Sequence, residues 1–409
     1  MADPLRSLKR AISPPPVKKL APQTRPVNAA LAIDPSPAAV EAGRADVRDH
    51  LQYWTEELAR VRRNDHTKAN ALAIEAFRDL YARNSNDEGH HFVIHQHDHP
   101  VSGVHYDLRL QFSATSSLSW SIPYGVPGNA NSIRPNRMAI ETRVHNVWNH
   151  LIESASHATG SLLIWDTGEY EVVPRPSRKR KSRQTDDELS TGSDTEITST
   201  PRGASLAEPT KLRHAFQDRH IHLRLHGTRL PRNYTIALRL PRQNHRTAQP
   251  SAPKRRRRRT SAPKPRPRNP ENTDSDTSPS TSTTTSSTST IQESAAAKDA
   301  AAASDDQDRD AAEQASIRSS NAYPGANNDI GSVHQRQWFL SLDRSASGFV
   351  QSSSGAEKGR WTRGGFEAFV VRGRDVERSV VTGRRAGDVM DDCGVEGYKG
   401  RKMWRAITE

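Results

Sequence analysis

Between Phe92 and Phe112 the chain reads FVIHQHDHPVSGVHYDLRLQF, and this stretch sets two histidines, an aspartate and an arginine on one face of a predicted β-hairpin. With a period of two, His105, Asp107, Arg109 and Gln111 fall on one side, and Tyr106, Leu108, Leu110 and Phe112 on the other. The first half alternates in the same way, with Phe92 and Ile94 opposite His95 and His97. The segment Asp98-His99-Pro100-Val101-Ser102-Gly103 is rich in turn formers and folds the second half back, bringing His97 beside His105 and Asp107. Two neutral imidazoles and one carboxylate leave half an octahedron open. That suits Mn²⁺, Fe²⁺ or Zn²⁺ holding water and a substrate oxygen better than a closed structural site. Arg109, two residues beyond Asp107, adds the planar fork that matches phosphate oxygens.

Those side chains need a rigid support, and the surrounding sequence predicts one. Leu51, Trp54, Leu58 and Val61 recur at spacings of three and four, as do Ala71, Ile74, Phe77 and Leu80 with Tyr81, which predicts two amphipathic helices packed on a β core. From Phe92 to Pro174 nearly everything reads as strand: the hairpin, then 119–122, 138–144, 161–166 and 169–173, the last two joined by a turn at Asp166-Thr167-Gly168. The fold class expected is mainly β, a small barrel core with flanking amphipathic helices and long disordered insertions.

Only a third of the 409 residues are hydrophobic and the mean hydropathy is −0.83, so much of the chain has too little apolar surface to form a core. The net charge of +13 points to a polyanionic partner, nucleic acid foremost. A single cysteine, Cys393, excludes an intramolecular disulfide and fits a reducing compartment. No apolar run reaches membrane-span length and no apolar signal core opens the chain, so an intracellular protein without membrane partners is expected.

The motifs resemble those of the 3′-phosphoesterase domain at the amino end of bacterial DNA ligase D and its stand-alone fungal-type relatives. That family reads FVxQxH, a short loop, LHYDFRLE, SWAxPKGP, RxAVxxEDH and GTVxxWDxGxYE. This chain has FVIHQH, VHYDLRLQ, SWSIPYGVP, RMAIETRVH and GSLLIWDTGEYE in the same order. Residues 222–240, HLRLHGTRLPRNYTIALRL, look like the family's next strand pair, and QWFLSLDR at 337–344 like its closing strand. The resemblance implies that His97, His105 and Asp107 hold a divalent metal, Mn²⁺ foremost, that Arg109 and Arg137 contact phosphate, and that His145 is an essential phosphate-facing histidine. Its phosphate pocket would be completed by His95, where the family has glutamine, and Tyr124, where it has lysine. The loop after His97 is longer than the family's, so His99 competes with His97 as first ligand. Arg78, Asp79 and Glu88 are faint counterparts of further family contacts.

The domain organisation expected is a disordered arm over 1–43; helices and the first part of the barrel over 44–174; a disordered basic and acidic linker over 175–210; barrel strands continued over 211–242; a disordered low-complexity linker over 243–333; and a closing strand with an Arg and aromatic extension over 334–409. The clusters Arg178-Lys179-Arg180-Lys181 and Lys254-Arg255-Arg256-Arg257-Arg258-Arg259, with Lys18-Lys19, read as nuclear import signals, hence an import receptor as partner and a nuclear location. By the resemblance the chain is a metal-dependent enzyme that heals DNA 3′ ends, RNA-containing ends included, in DNA repair. A separate ligase or polymerase would be its partner, since no KxDG nucleotidyl-transfer motif is present. The alternative is a non-catalytic DNA-end or chromatin-binding module that retains the fold.

Overall fold

The computed structural model describes residues 35–63, 72–174, 206–242, 315–317, 319–355, 357–401 and 404–407. The basic clusters and most of both predicted linkers lie outside the described residues. Its centre is a closed antiparallel barrel of eight strands. In ring order these are β1 (His91–His99), β2 (Gly103–Gln111), β3 (Ser116–Ile122), β4 (Asn136–Glu141), β10 (Gln337–Leu342), β9 (Thr235–Arg239), β8 (His220–Gly227) and β7 (Gly160–Val172), which returns to β1. Short β5 (His145–Asn146) pairs with β3, and β6 (Ser154–Ser156) with the first residues of β7. Closure leaves the barrel no free edge. The strand that completes it, β10, comes from far along the chain and pairs with β4 on one side and β9 on the other.

The interior is filled by residues of alternating strand positions: Phe92 and Ile94, Tyr106, Leu108 and Leu110, Leu118 and Trp120, Leu223, Ile236, Trp338 and Leu340 all belong to one buried cluster. A second apolar cluster lies outside the barrel wall. There α1 (Pro37–Glu41), α2 (His50–Val61) and α3 (Ile74–Arg83) contribute Val40, Trp54, Leu58 and Phe77, which pack with Val93, Leu162, Ile164 and Val380. The apolar stripe of α2 faces this wall, and Asp49 caps its start by accepting from Gln52 N–H at 3.0 Å. Because helices cover this outer face, the polar side of the β1–β2 hairpin runs beneath protein instead of into water. No described helix is long and apolar enough to cross a membrane.

Several expectations are corrected. Residues 160–172 form one strand, with no turn at Asp166-Thr167-Gly168. Asp166 instead accepts backbone N–H groups of Thr228, Arg229 and Leu230, fastening the loop after β8, and a Cβ at Gly168 would run into the His226 carbonyl of the neighbouring strand. Part of the expected arm is α1, packed on β6. Part of the first expected linker belongs to α4 (Glu208–Gln217), whose Leu212 and Phe216 enter the barrel core. Described residues of the second expected linker are also built in: Ala322 bridges Val144, and Ala322 and Ile330 are buried in the main cluster. Burial against distant partners, absent from any local pattern, orders these pieces.

Candidate metal centre and phosphate pocket

The register of β1 against β2 places His97 opposite His105, His95 opposite Asp107, and Val93 opposite Arg109. Directly opposed side chains share a face and have Cβ atoms about 5 Å apart. One ligand atom from each of His97, His105 and Asp107 lies within 4.8 Å of the others, the one such group among the described residues. His97 Nδ1 is 3.3 Å from Asp107 Oδ2, His105 Nε2 is 3.4 Å from Oδ1, and Arg109 Nη2 is 3.8 Å from Oδ2.

Both rings are aimed by main-chain carbonyls: His97 Nε2 lies 2.8 Å from Thr159 O, and His105 Nδ1 lies 2.9 Å from Gly103 O. A carbonyl only accepts, so these nitrogens carry the hydrogen, and His97 Nδ1 and His105 Nε2 are the atoms turned toward the carboxylate. Gly103 is suited to its place because the turn needs φ of +76° there. Burial pushes the His105 pKa down to about 4, leaving a neutral ring. Burial also opposes a charge on His97, but the Asp107 carboxylate and the Thr159 carbonyl outweigh it and raise its pKa. For Asp107, burial favours the acid form, yet His105, His97 and Arg109 together hold the carboxyl well below its usual range. The lone pair of neutral His105, the Asp107 carboxylate and His97 Nδ1, which gives up its proton when a cation takes its place, thus converge, a donor set that fits a borderline divalent cation with positions left for other ligands.

Next to this cluster the outer face carries short polar side chains. Ser117, Ser119 and Ser121 oppose Gln111, Arg109 and Asp107. His145 pairs with Ser117 and therefore shares the face of Arg109. Its Nδ1 donates to Arg143 O at 2.8 Å, which makes Nε2 the unprotonated atom; burial and nearby Arg109 lower its pKa and keep it neutral. Arg109 is buried, donates from Nη1 to Asn149 O at 3.2 Å, and has no partner on Nε.

The other expected site residues fall differently. His99 stands outside the converging group: its Nδ1 accepts from Val101 and Ser102 N–H and closes the turn. His95 is fully buried beside Asp107 with neither ring nitrogen partnered, and burial keeps it neutral. Arg137 is a correction. It opposes Leu340, on the side of β4 shared by Ala139 and Trp338, so it points into the barrel, whereas Arg109 points out; its guanidinium bonds to Arg134 O. Tyr124 is 46% exposed beyond the end of β3 and makes no described contact with the cluster. Arg78, Asp79 and Glu88 are exposed and do not join it either.

Sequence reasoning missed Asn149, whose carbonyl holds Arg109, and Ser119, whose buried hydroxyl has no partner. It also missed Glu41 of α1, which accepts from Ser154 and interacts electrostatically with His97 and Arg109. The alternation of serines at 117, 119 and 121 was the one readable sign of a polar face on β3.

The family model of the DNA ligase D 3′-phosphoesterase domain matches residues 95–238. The multifunctional non-homologous end joining protein LigD of Mycolicibacterium smegmatis is 31% identical over 85 residues, covering 20% of this chain and 10% of LigD. The chain thus corresponds to about a tenth of that relative's length. The matched stretch runs from within β1 to within β9, where the motifs that carry the resemblance lie, and it stops before β10.

Proposed function

We propose that this chain is a divalent-metal-dependent phosphoesterase that heals DNA 3′ ends, removing a 3′-phosphate or a 3′-ribonucleotide to leave a 3′-hydroxyl for a separate ligase or polymerase. The observation that supports it most is the convergence of His97 Nδ1, His105 Nε2 and the Asp107 carboxylate beside the Arg109 fork. His97, His105 and Asp107 would hold the ion, which we take to be Mn²⁺. When bound, it supplies a Lewis acid for the phosphoryl group and lowers the pKa of an attacking water.

The remaining work falls to the chain's own groups. Arg109 grips two non-bridging phosphate oxygens through its paired N–H donors and takes up charge as the ester bond breaks. His145, charged once the phosphate anion lies against it, contacts the phosphate and gives its proton to the leaving 3′ oxygen; the proton lost by the attacking water restores it through solvent, so that water and ester become alcohol and phosphate with no net proton change. The helices over the outer wall limit water access and strengthen each of these interactions.

The test is release of phosphate from a 3′-phosphorylated duplex oligonucleotide with Mn²⁺. Loss in His105→Ala and in Asp107→Ala is expected, and turnover surviving both changes rules out the metal assignment. A second reading, a DNA-end binding module without turnover, draws on Tyr124 standing exposed and apart from the cluster where the family has lysine. Metal-free protein that still prefers DNA ends would favour it. For the basic clusters at 178–181 and 254–259 we propose nuclear import; a fluorescent fusion with both clusters neutralised that still enters nuclei would refute this.

A further inference from the structure

Beside the second apolar cluster, where His91 meets Tyr81 edge-on and His150 precedes Leu151, lie two imidazoles that the proposed chemistry does not use. His91 and His150 are both fully buried, with Nδ1 to Nδ1 at 2.7 Å. Two polar rings in an apolar layer cost stability unless they are hydrogen-bonded, and a phenylalanine or leucine pair would fill the same space without that cost. What imidazoles add is direction.

The direction follows from counting hydrogens. Thr167 Oγ1 donates its single hydrogen to Phe92 O at 2.9 Å, so toward His91 Nε2, also at 2.9 Å, it accepts. His91 therefore carries its hydrogen on Nε2 and offers a lone pair at Nδ1. His150 donates from Nδ1 into that lone pair. His150 Nε2, on the far side of the ring, keeps a lone pair and has no partner among the described residues. Besides His91, the groups that bear electrostatically on this ring are Arg109, His95 and His145, the residues of the phosphate pocket.

His150 sits in the short 3-10 helix Val147–Leu151, and the residue before it, Asn149, gives its carbonyl to Arg109 Nη1. His50 stacks on Trp148 at 4.1 Å, holding the outer side of the same turn. The dyad holds its inner side. We infer that the chain Thr167, His91, His150 is a positioning relay that fixes this turn and so aims the Arg109 guanidinium at the phosphate of the bound ester. The inference rests on the phosphate role proposed for Arg109. His91 and His150 touch no reacting atom in it and act only through Arg109.

Three measurements on the full chain test it. In protein with ¹⁵N-labelled imidazoles, NMR should find His150 protonated on Nδ1 and His91 on Nε2, with a coupling between the two Nδ1 nuclei; reversed tautomers or no coupling overturn the relay. Equilibrium binding of inorganic phosphate to the Mn²⁺-loaded protein should weaken about tenfold in His150→Phe, as expected when one charge-assisted contact is misaligned, with Mn²⁺ affinity unchanged. His150→Asn, which keeps a donor near the Nδ1 position, should restore most of it. Finally, His150→Phe should have no further effect in an Arg109→Ala background; an equal loss there would mean that the dyad acts independently of Arg109. Phosphate binding and NMR read the relay even in a protein without turnover, so failure of the relay and failure of the proposed reaction remain separate results.

Discussion

Two kinds of buried polar centre lie within this molecule, and they differ in how fully their bonds are used. Glu141 accepts from Arg336 at 2.7 and 2.9 Å, Trp338 Nε1 at 2.8 Å, Ser332 at 2.6 Å and Val333 N–H at 2.9 Å. Glu153 is bound by Arg384 at 2.9 Å, Thr382 at 2.6 Å and Ile164 N–H at 3.1 Å, and by Ser379. Each of these knots ties a late segment of the chain to the barrel wall. Around Asp107, by contrast, the closest ion-pair separations are 3.3 to 3.8 Å, and both nitrogens of His95, Nε of Arg109 and the Ser119 hydroxyl are buried without partners. A saturated centre holds structure together, and an unsaturated one retains bonding capacity for a ligand. Local rules are satisfied at the first and broken at the second, where function is expected.

That contrast breaks if the open centre turns out to be the one that stabilises the fold. The largest effect should come from Asp107→Ala and His105→Ala: phosphate release falls to background and Mn²⁺ binding is lost, and His105→Ala keeps a urea midpoint near that of the parent. Next, Glu153→Ala or Glu141→Ala should cost about 3–5 kcal/mol of stability, because each strands a buried guanidinium, while turnover per folded molecule is kept. Urea unfolding with active-site titration separates the two classes. Within the pocket, Arg109→Lys should lose about a hundredfold in kcat/KM, since an ammonium cannot make the paired contact. Arg137→Ala, on the interior side, should stay within about twofold of the parent.

The smallest and most graded effect concerns pH. Burial pushes the His91 pKa down from 6.5 to about 3, and lowers His95, His145 and His150 in the same direction. Below about pH 6.5 the unfolded chain binds protons that the folded one refuses, so stability falls as pH drops from 6.5 toward 3, by about 1.4 kcal/mol per pH unit for each such histidine. Urea midpoints between pH 7 and 5 read the slope. Histidine-to-phenylalanine changes at His91 and His150 should flatten it.

The hairpin was legible because a period of two over Phe92 to Phe112 admits few other structures, and its register then forces His97 against His105. The helices over Leu51 to Tyr81 were legible for the same kind of reason, an apolar stripe at helical spacing. Val93 shows where such reading ends: it is apolar on the chemical face, which makes sense only once Trp54, Phe77 and Leu151 are found packed on it. Arg137 shows it again, since a motif position does not say which side of a strand faces the barrel. The segment around Ala322 and Ile330 looked too polar to fold, yet it packs because Val144 and the main core wait for it.

By itself, then, the sequence determined the β-rich class, the convergence of His97, His105 and Asp107 beside Arg109, and the resemblance to the 3′-phosphoesterase domain, because each is written in short-range alternation and spacing. Only the tertiary structure decided which side of β4 Arg137 takes, that β10 closes the ring, and that Asn149, His150 and His91 gather behind Arg109. Those outcomes depend on contacts between residues far apart in the chain, and the physical reason they escape a linear reading is that burial and hydrogen-bond saturation are properties of the assembled surroundings.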